Sequence, residues 1–271
     1  MHKVISADGT SIAYDKVGNG PALVHVFGAT ATRGLAAQRG DDDSNTPFTN
    51  YFYDRRGRGD SGDSADTAGK AVEREIDDLE ALIDAAGGSA FVFGHSSGAV
   101  LALRAAARLG DKITKLALYE PPFVIDDSRP PIPDDYVSHL RQLIANGDPE
   151  GALMYFMTVA VGIPPEYIDG MKEAPFWASS VAVAHTISYD GEIMGETMYG
   201  DPASLEQFAG ITTPTLVMVG SESPPYQQNA VTALAKLLPN AEYRSMAGQD
   251  HGIAPEVLNP ALVEFFLGQN G

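Results

Sequence analysis

The chain has 271 residues, with 18 Lys+Arg against 36 Asp+Glu and a formal charge of −18. With 44% apolar and 20% charged residues it is a globular chain, long enough to bury a core without staples, and at roughly 150 residues per domain it makes one large domain or two small ones. The absence of cysteine excludes a disulfide framework, thiolate metal sites and a cysteine nucleophile, and the negative charge argues against a general binder of nucleic acid or anionic membrane.

The first ten residues lack the apolar run of a secretory signal, and no stretch of about 18 apolar residues occurs, so a soluble cytoplasmic protein is expected. Residues 4–6 and 12–17 flank the turn signal Asp8-Gly9-Thr10 and read as a hairpin. Residues 22–27, closed by Gly28, and 48–53 are continuous apolar runs suited to strands buried on both faces. Between them Asp41-Asp42-Asp43 reads as a solvated loop. The second run ends in Asp54-Arg55-Arg56-Gly57-Arg58-Gly59-Asp60-Ser61-Gly62, a loop by composition. Val72, Ile76, Leu79, Ile83 and Ala86 then recur at helical spacing, and Gly87-Gly88 ends that helix. A strand at 90–93, a helix at 99–109 and a strand at 113–119 follow, and the alternation predicts parallel βαβ units.

After residue 119 the alternation stops. Pro121, Pro122, Pro130, Pro131 and Pro133 mark a linker, and only helical patterns follow, over 134–146, 149–161, 165–172 and 176–188. Asp148-Pro149-Glu150 has the order of an N-cap, a first-turn proline and a first-turn acid. The alternation resumes with a strand at 215–219, a helix at 226–238, a strand at 242–245 and a helix at 255–267. An interruption of about 80 residues is too long for an ordinary loop. Placed at a strand's carboxyl end, it overlies the crevice where open α/β sheets bind ligands.

The chemistry is concentrated in Gly94-His95-Ser96-Ser97-Gly98, between a predicted strand and a predicted helix. A tight strand-to-helix turn exposes the serine Oγ above the sheet, the glycines allow close chain approach, and the helix N-terminus offers free N–H groups to a developing oxyanion. A serine needs a base to accept its proton. His2 and His25 lie too early or inside a strand, His139 and His185 lie in the insertion, and His95 is expected to point away from its neighbour. His251, in Gly248-Gln249-Asp250-His251-Gly252, sits on a loop between a strand and a helix.

With these residues the chain resembles the α/β-hydrolase fold family over nearly its whole length. The elbow at 94–98, the arginine-rich loop at 54–61, Phe27-Gly28-Ala29 after the third strand, His251 after the last strand and the helical insertion after the sixth all match positions of that family. The resemblance implies a mostly parallel eight-stranded sheet with helices on both faces. It divides the chain into a core of residues 1–119 and 205–271 and a helical cap of residues 120–204. It further implies Ser96 as nucleophile, His251 as base and the backbone N–H groups of Ala29 and Ser97 as the oxyanion hole. Phe27 stands where the family usually has histidine.

The acid departs from the family pattern. The expected aspartate position, in Gly220-Ser221-Glu222-Ser223, is Ser223, and a serine cannot stabilise an imidazolium as a carboxylate does. Glu222 is one residue early. Glu120, at the end of the sixth strand, is the preferred substitute, because some members such as the haloalkane dehalogenases take their acid from that strand end. A serine nucleophile argues against epoxide hydrolase or dehalogenase chemistry. No metal-ligand spacing, phosphate loop or dinucleotide fingerprint occurs, so no cofactor is expected.

The cap is rich in bulky soft residues. Most of them would form its own core, while Met154, Met157, Phe176 and Trp177 are candidates for an apolar pocket wall and His185 for a substrate contact. The expected activity is hydrolysis of a mid-sized, largely apolar, neutral ester, thioester or lactone. A non-hydrolytic or C–C bond-acting enzyme of the same fold and an inactive binding module are the alternatives. The partner expected is a small-molecule substrate, neither nucleic acid nor membrane, and a homodimer is the assembly common enough to entertain. Residues 120–200 hold 3 basic and 13 acidic groups, so −10 of the −18 falls on the cap, which should disfavour anionic substrates.

Overall fold

The apolar runs pair side by side in a computed structural model that describes residues 1–34 and 46–268; Asp41, Asp42 and Asp43 lie outside the described residues. Strands β1 (His2–Ile5), β2 (Ser11–Gly18), β3 (Ala22–Val26), β4 (Thr49–Tyr53), β5 (Ala90–His95), β6 (Ile113–Tyr119), β7 (Thr215–Gly220) and β8 (Ala241–Met246) form one sheet in the order β1-β2-β4-β3-β5-β6-β7-β8. Pairings of β1 with β2 and of β2 with β4 are antiparallel, and the rest are parallel. This is the α/β-hydrolase fold.

The two-residue period of a strand explains the two cores. Val24, Val26, Leu116, Leu118, Val217 and Val219 face one side, where they meet helices α1 (Ala71–Ala85), α2 (Ser97–Leu109) and α8 (Pro225–Leu237). Leu23, Ala117, Tyr119, Leu216 and Met218 face the other and meet Ala261, Leu262 and Phe266 of helix α9 (Pro255–Leu267). Leu79 of α1 is fully buried, so its truncation to alanine costs about 2–5 kcal/mol through lost transfer energy and a residual cavity.

The segment after β6 is helical, as α3 (Tyr136–Ala145), α4 (Pro149–Tyr155), α5 (Pro165–Met171), α6 (Pro175–Ala182) and α7 (Ile187–Met194). Asp148 caps α4 by accepting from Gly151 N at 2.8 Å. Two local differences from the sequence expectation matter. The helix over 149–161 changes at Phe156 into a π-helical turn, Phe156–Val161. The helix over 176–188 is broken by a 3-10 turn, Ala184–Thr186, in which the Thr186 hydroxyl donates to the Val183 carbonyl and competes with helical pairing.

Helix α7 is fastened to the core along its length. Glu192 accepts from the N–H groups of Gly69 and Ala71 at the start of α1, and Arg104 of α2 donates to the carbonyl of Ile193 at 2.6 Å. No helix among the described residues is long and apolar enough to cross a membrane.

Candidate active site

Ser96 occupies the turn between β5 and α2 with φ 57° and ψ −131°, a strained conformation for a side-chain-bearing residue. The turn closes because its neighbours lack side chains. A Cβ on Gly94 would lie 2.6 Å from Ala99 Cα, and one on Gly98 2.2 Å from the carbonyl oxygen of Val26. The Ser96 N–H donates to the Tyr119 carbonyl at 3.0 Å, which ties the elbow to the neighbouring strand end.

Glu120 directly follows β6, also at positive φ (48°), and is fully buried. His251 Nδ1 donates to its Oε2 at 2.7 Å. Its Oε1 accepts from Gly220 N at 2.8 Å and from the hydroxyl of Ser223. Ser223, at the position where the resemblance expects an aspartate, is thus a donor to the Glu120 carboxylate. Glu222 is exposed, its N–H bonds the Gln249 carbonyl at 2.9 Å, and its side chain meets Ser221 Oγ at 3.3 Å rather than His251. Buried Gln227 also faces His251 Nδ1, its amide at 3.0 Å.

Two aromatic side chains hold the histidine loop. His95 Nε2 bonds the His251 carbonyl at 2.9 Å, and the Tyr119 hydroxyl donates to the Asp250 carbonyl. Burial, with nearby Glu120 and Asp250, pushes the Tyr119 phenol well above its ordinary range, so it remains a donor.

The segment after β3 passes against Ser96, with Gly28 so close that a Cβ there would lie 2.8 Å from Ser96 Cβ and 3.3 Å from its Oγ. Ala29 and Ser97 both line the cavity that contains Ser96. The N–H of Ser97 belongs to the first turn of α2, where helical donors have no partner within the helix. Arg55 supplies the pin for this loop, its Nη1 donating to the Phe27 carbonyl at 3.2 Å.

Arg55, Arg56 and Arg58, read from sequence as plain loop residues, are fully buried cations. Glu75 of α1 clasps Arg55 at 2.6 and 2.9 Å, and Asp78 clasps Arg56 at 2.6 and 2.8 Å. Arg55 and Arg58 both reach Asp190 of α7, which also accepts from Ser97 Oγ. Burial would raise the Asp190 carboxyl, but the two guanidiniums outweigh it and hold the group below the ordinary carboxylate range.

The cavity over Ser96 has a volume of about 750 Å³. Its roof is Tyr136, Phe156, Ala160, Val161, Met194 and Met198, and Arg129, Glu222, Tyr226, Gln227 and His251 line its side. This corrects the expected wall, because none of Met154, Met157, Phe176, Trp177 and His185 lines it. Met154 packs against the main core and Met157 is buried in it. Trp177 is buried with its indole N–H on Glu150 Oε1 at 2.9 Å, and Phe176 is 40% exposed. His185 lies in the 3-10 turn between α6 and α7, 3.7 Å from Asp63, and burial lowers its imidazole pKa. Phe156, Ala160 and Val161 of the wide π turn that follows α4 line the cavity instead. Among the described residues no group of three His, Asp or Glu side chains could hold a metal ion.

A sequence model described as the alpha/beta hydrolase family matches residues 22–263. The chain is similar to the solved structure of an alpha/beta hydrolase from Sphaerobacter thermophilus, at 49% identity and TM-score 0.88, covering 98% of this chain and all of that one. It shares its fold with an enol-lactonase from Burkholderia xenovorans, at 20% identity and TM-score 0.71, covering 98% of this chain and 100% of the other. An esterase from Exiguobacterium antarcticum stands at 19% and 0.72, with 98% and 99% covered. No curated protein sequence matches the chain.

Proposed function

We propose, from the premise that the chain belongs to the alpha/beta hydrolase family and is a hydrolase, that it cleaves a mid-sized, largely apolar, neutral carboxylic ester, thioester or lactone through an acyl-enzyme on Ser96. The observation that carries this reading is the 2.7 Å bond from His251 Nδ1 to the buried carboxylate of Glu120, on the loop that faces the cavity of Ser96. With Nδ1 protonated toward Glu120, Nε2 of His251 is the free base.

In this mechanism the Ser96 hydroxyl gives its proton to His251 Nε2 as Oγ attacks the acyl carbon. Glu120 stabilises the imidazolium without taking the proton. The N–H groups of Ala29 and Ser97 receive the tetrahedral oxyanion. Collapse expels the alcohol or thiol, which takes the proton from His251, and water then releases the acid by the same steps in reverse order.

The apolar roof of Phe156, Ala160, Val161, Met194 and Met198 supports an apolar acyl or alcohol part. Exposed Glu222 and Asp250 face the same cavity, while Arg129, the one lysine or arginine among the described lining residues, stacks on Tyr226 at 4.8 Å, which supports a neutral substrate. The esterase and enol-lactonase of the same fold suit the reading without deciding it. The test is a panel of nitrophenyl esters with Ser96→Ala as control, plus mass spectrometry after a fluorophosphonate. Turnover lost in Ser96→Ala and a label on Ser96 are expected. Equal turnover by wild type and variant, or no label, overturns the proposal.

A further inference from the structure

We infer that Asp190, a residue of the cap, is a positioning residue that holds both arms of the oxyanion hole, so that the hole is complete only when the cap is docked. The inference rests on the reading of Ala29 and Ser97 as the oxyanion donors.

Asp190 lies on α7, 4% exposed, with both carboxylate oxygens occupied. Oδ1 accepts from Arg55 Nη1 at 2.7 Å and from Ser97 Oγ at 2.8 Å, and Oδ2 accepts from Arg58 Nη2 at 2.6 Å. These partners are 135, 93 and 132 residues away in sequence, so the contacts exist only once the cap has folded onto the sheet.

Two of these three contacts, those with Ser97 and Arg55, each lead to one arm. The first arm is Ser97 itself, whose side chain is tied to Asp190 while its N–H opens α2 next to the nucleophile. The second arm is the turn Phe27-Gly28-Ala29-Thr30. This turn has left β3, and Thr30 sits at φ 60°. Its carbonyl at Phe27 is held by Arg55 Nη1, the same nitrogen that is bonded to Asp190. Without Asp190, Arg55 keeps Glu75 but loses the partner that aims this nitrogen between the cap and the Phe27 carbonyl.

The cluster is balanced in charge, Glu75 and Asp190 against Arg55 and Arg58, so it offers no surplus cation to a substrate. Its value to the reaction is in aiming. An oxyanion donor is useful only where its N–H is held before the charge develops, and loss of one such donor costs about 10²–10³ in kcat.

The test compares Asp190→Asn, Ser97→Ala and Ser97→Thr with wild type on one ester, each variant checked by circular dichroism and melting. Asp190→Asn is expected to lose at least 30-fold in kcat with KM within threefold. Ser97→Ala keeps the N–H but loses the tie and is expected to lose about 3–10-fold in kcat, and Ser97→Thr, which keeps a hydroxyl, to recover most of it. Inhibition supplies a readout that cap packing alone would not move. A trifluoromethyl ketone, which forms a tetrahedral oxyanion on Ser96, should weaken in step with kcat, while the product acid binds unchanged. If Asp190→Asn does not fold, the Ser97 pair decides.

Ser97→Ala within twofold of wild type in kcat and in ketone affinity overturns the inference and leaves the proposed function standing. A loss confined to KM overturns it in favour of plain cap packing. Absence of Ser96-dependent turnover in the wild type overturns both.

Discussion

Replacing Glu120 by glutamine keeps its size and removes one acceptor. Three donors converge on this carboxylate: Gly220 N–H and the Ser223 hydroxyl on Oε1, and His251 Nδ1 on Oε2. A glutamine has one oxygen, and two buried donors compete for it on the Oε1 side. The amide NH2 therefore faces His251, where it can only donate. Nδ1 must then be the unprotonated nitrogen, which places the ring proton on Nε2, on the side that has to receive the serine's proton. The expected loss is roughly 10³–10⁴ in kcat, or about 4–5.5 kcal/mol of transition-state stabilisation, with KM little changed. Nitrophenyl ester kinetics on a folded variant measure it, and melting shows whether the buried site survives. Adding Ser223→Asp to Glu120→Gln returns a carboxylate to the adjacent strand end and should recover at least tenfold. A folded Glu120→Gln enzyme within tenfold of wild type would refute the role given to Glu120.

Three other outcomes are expected. Gly28→Ala puts a Cβ 2.8 Å from Ser96 Cβ and 3.3 Å from its Oγ, so the two turns must shift apart and at least tenfold in kcat should be lost, whereas Gly98→Ala, 2.2 Å from a backbone oxygen, should fail to give soluble protein; expression trials and ester kinetics distinguish the two. His25 is buried and its pKa falls to about 4, by desolvation against a smaller opposing bond to Asn50. The unfolded chain takes up that proton near pH 6.5, so the associated stability is full above pH 6.5 and is lost as pH falls toward 4, roughly 3 kcal/mol in all; urea titrations of wild type and His25→Gln should converge over that range, and parallel curves would refute it. A neutral ester should outpace its matched monoanionic analogue at low salt, with the gap closing as salt rises, because exposed charges on the cap act over a screening length. Equal rates at low salt count against it.

The sheet was readable because its central strands are short, mostly apolar runs that alternate with helical patterns; the pattern predicts a strand at 113–119, and β6 is Ile113–Tyr119. Ser96 and Glu120 could be singled out because each directly follows a strand, and His251 because it lies on the loop after the last one; such places are visible in one dimension. The cavity wall was not readable, because it depends on helical phase. The wall is formed by Phe156, Ala160 and Val161 of the π turn that follows α4, and no glycine or proline within 150–161 other than Gly151 marks that turn. Asp190 was hidden for another reason. It looks like an ordinary acid in Ile187-Ser188-Tyr189-Asp190, and only the tertiary meeting with Arg55 and Arg58 shows that it is buried. The three arginines after β4 carried the sole hint, since cations in a loop leaving a buried strand need acids brought from elsewhere.

The fastening of α7 makes that helix costly to lift from the sheet. Lifting that helix would strip Arg55 and Arg58 of a shared counterion, free Glu192 from the start of α1 and unseat the carbonyl of Ile193 from Arg104. Uncovering paired charges without replacement is among the most expensive local motions a fold can make. The π turn across the cavity has a lighter tether, the guanidinium of Arg129 on the carbonyls of Val159 and Ala160 at 2.9 Å. Of the two attachments, the one at Arg129 is therefore the cheaper to break, since it rests on two hydrogen bonds to carbonyls and on no buried ion pair.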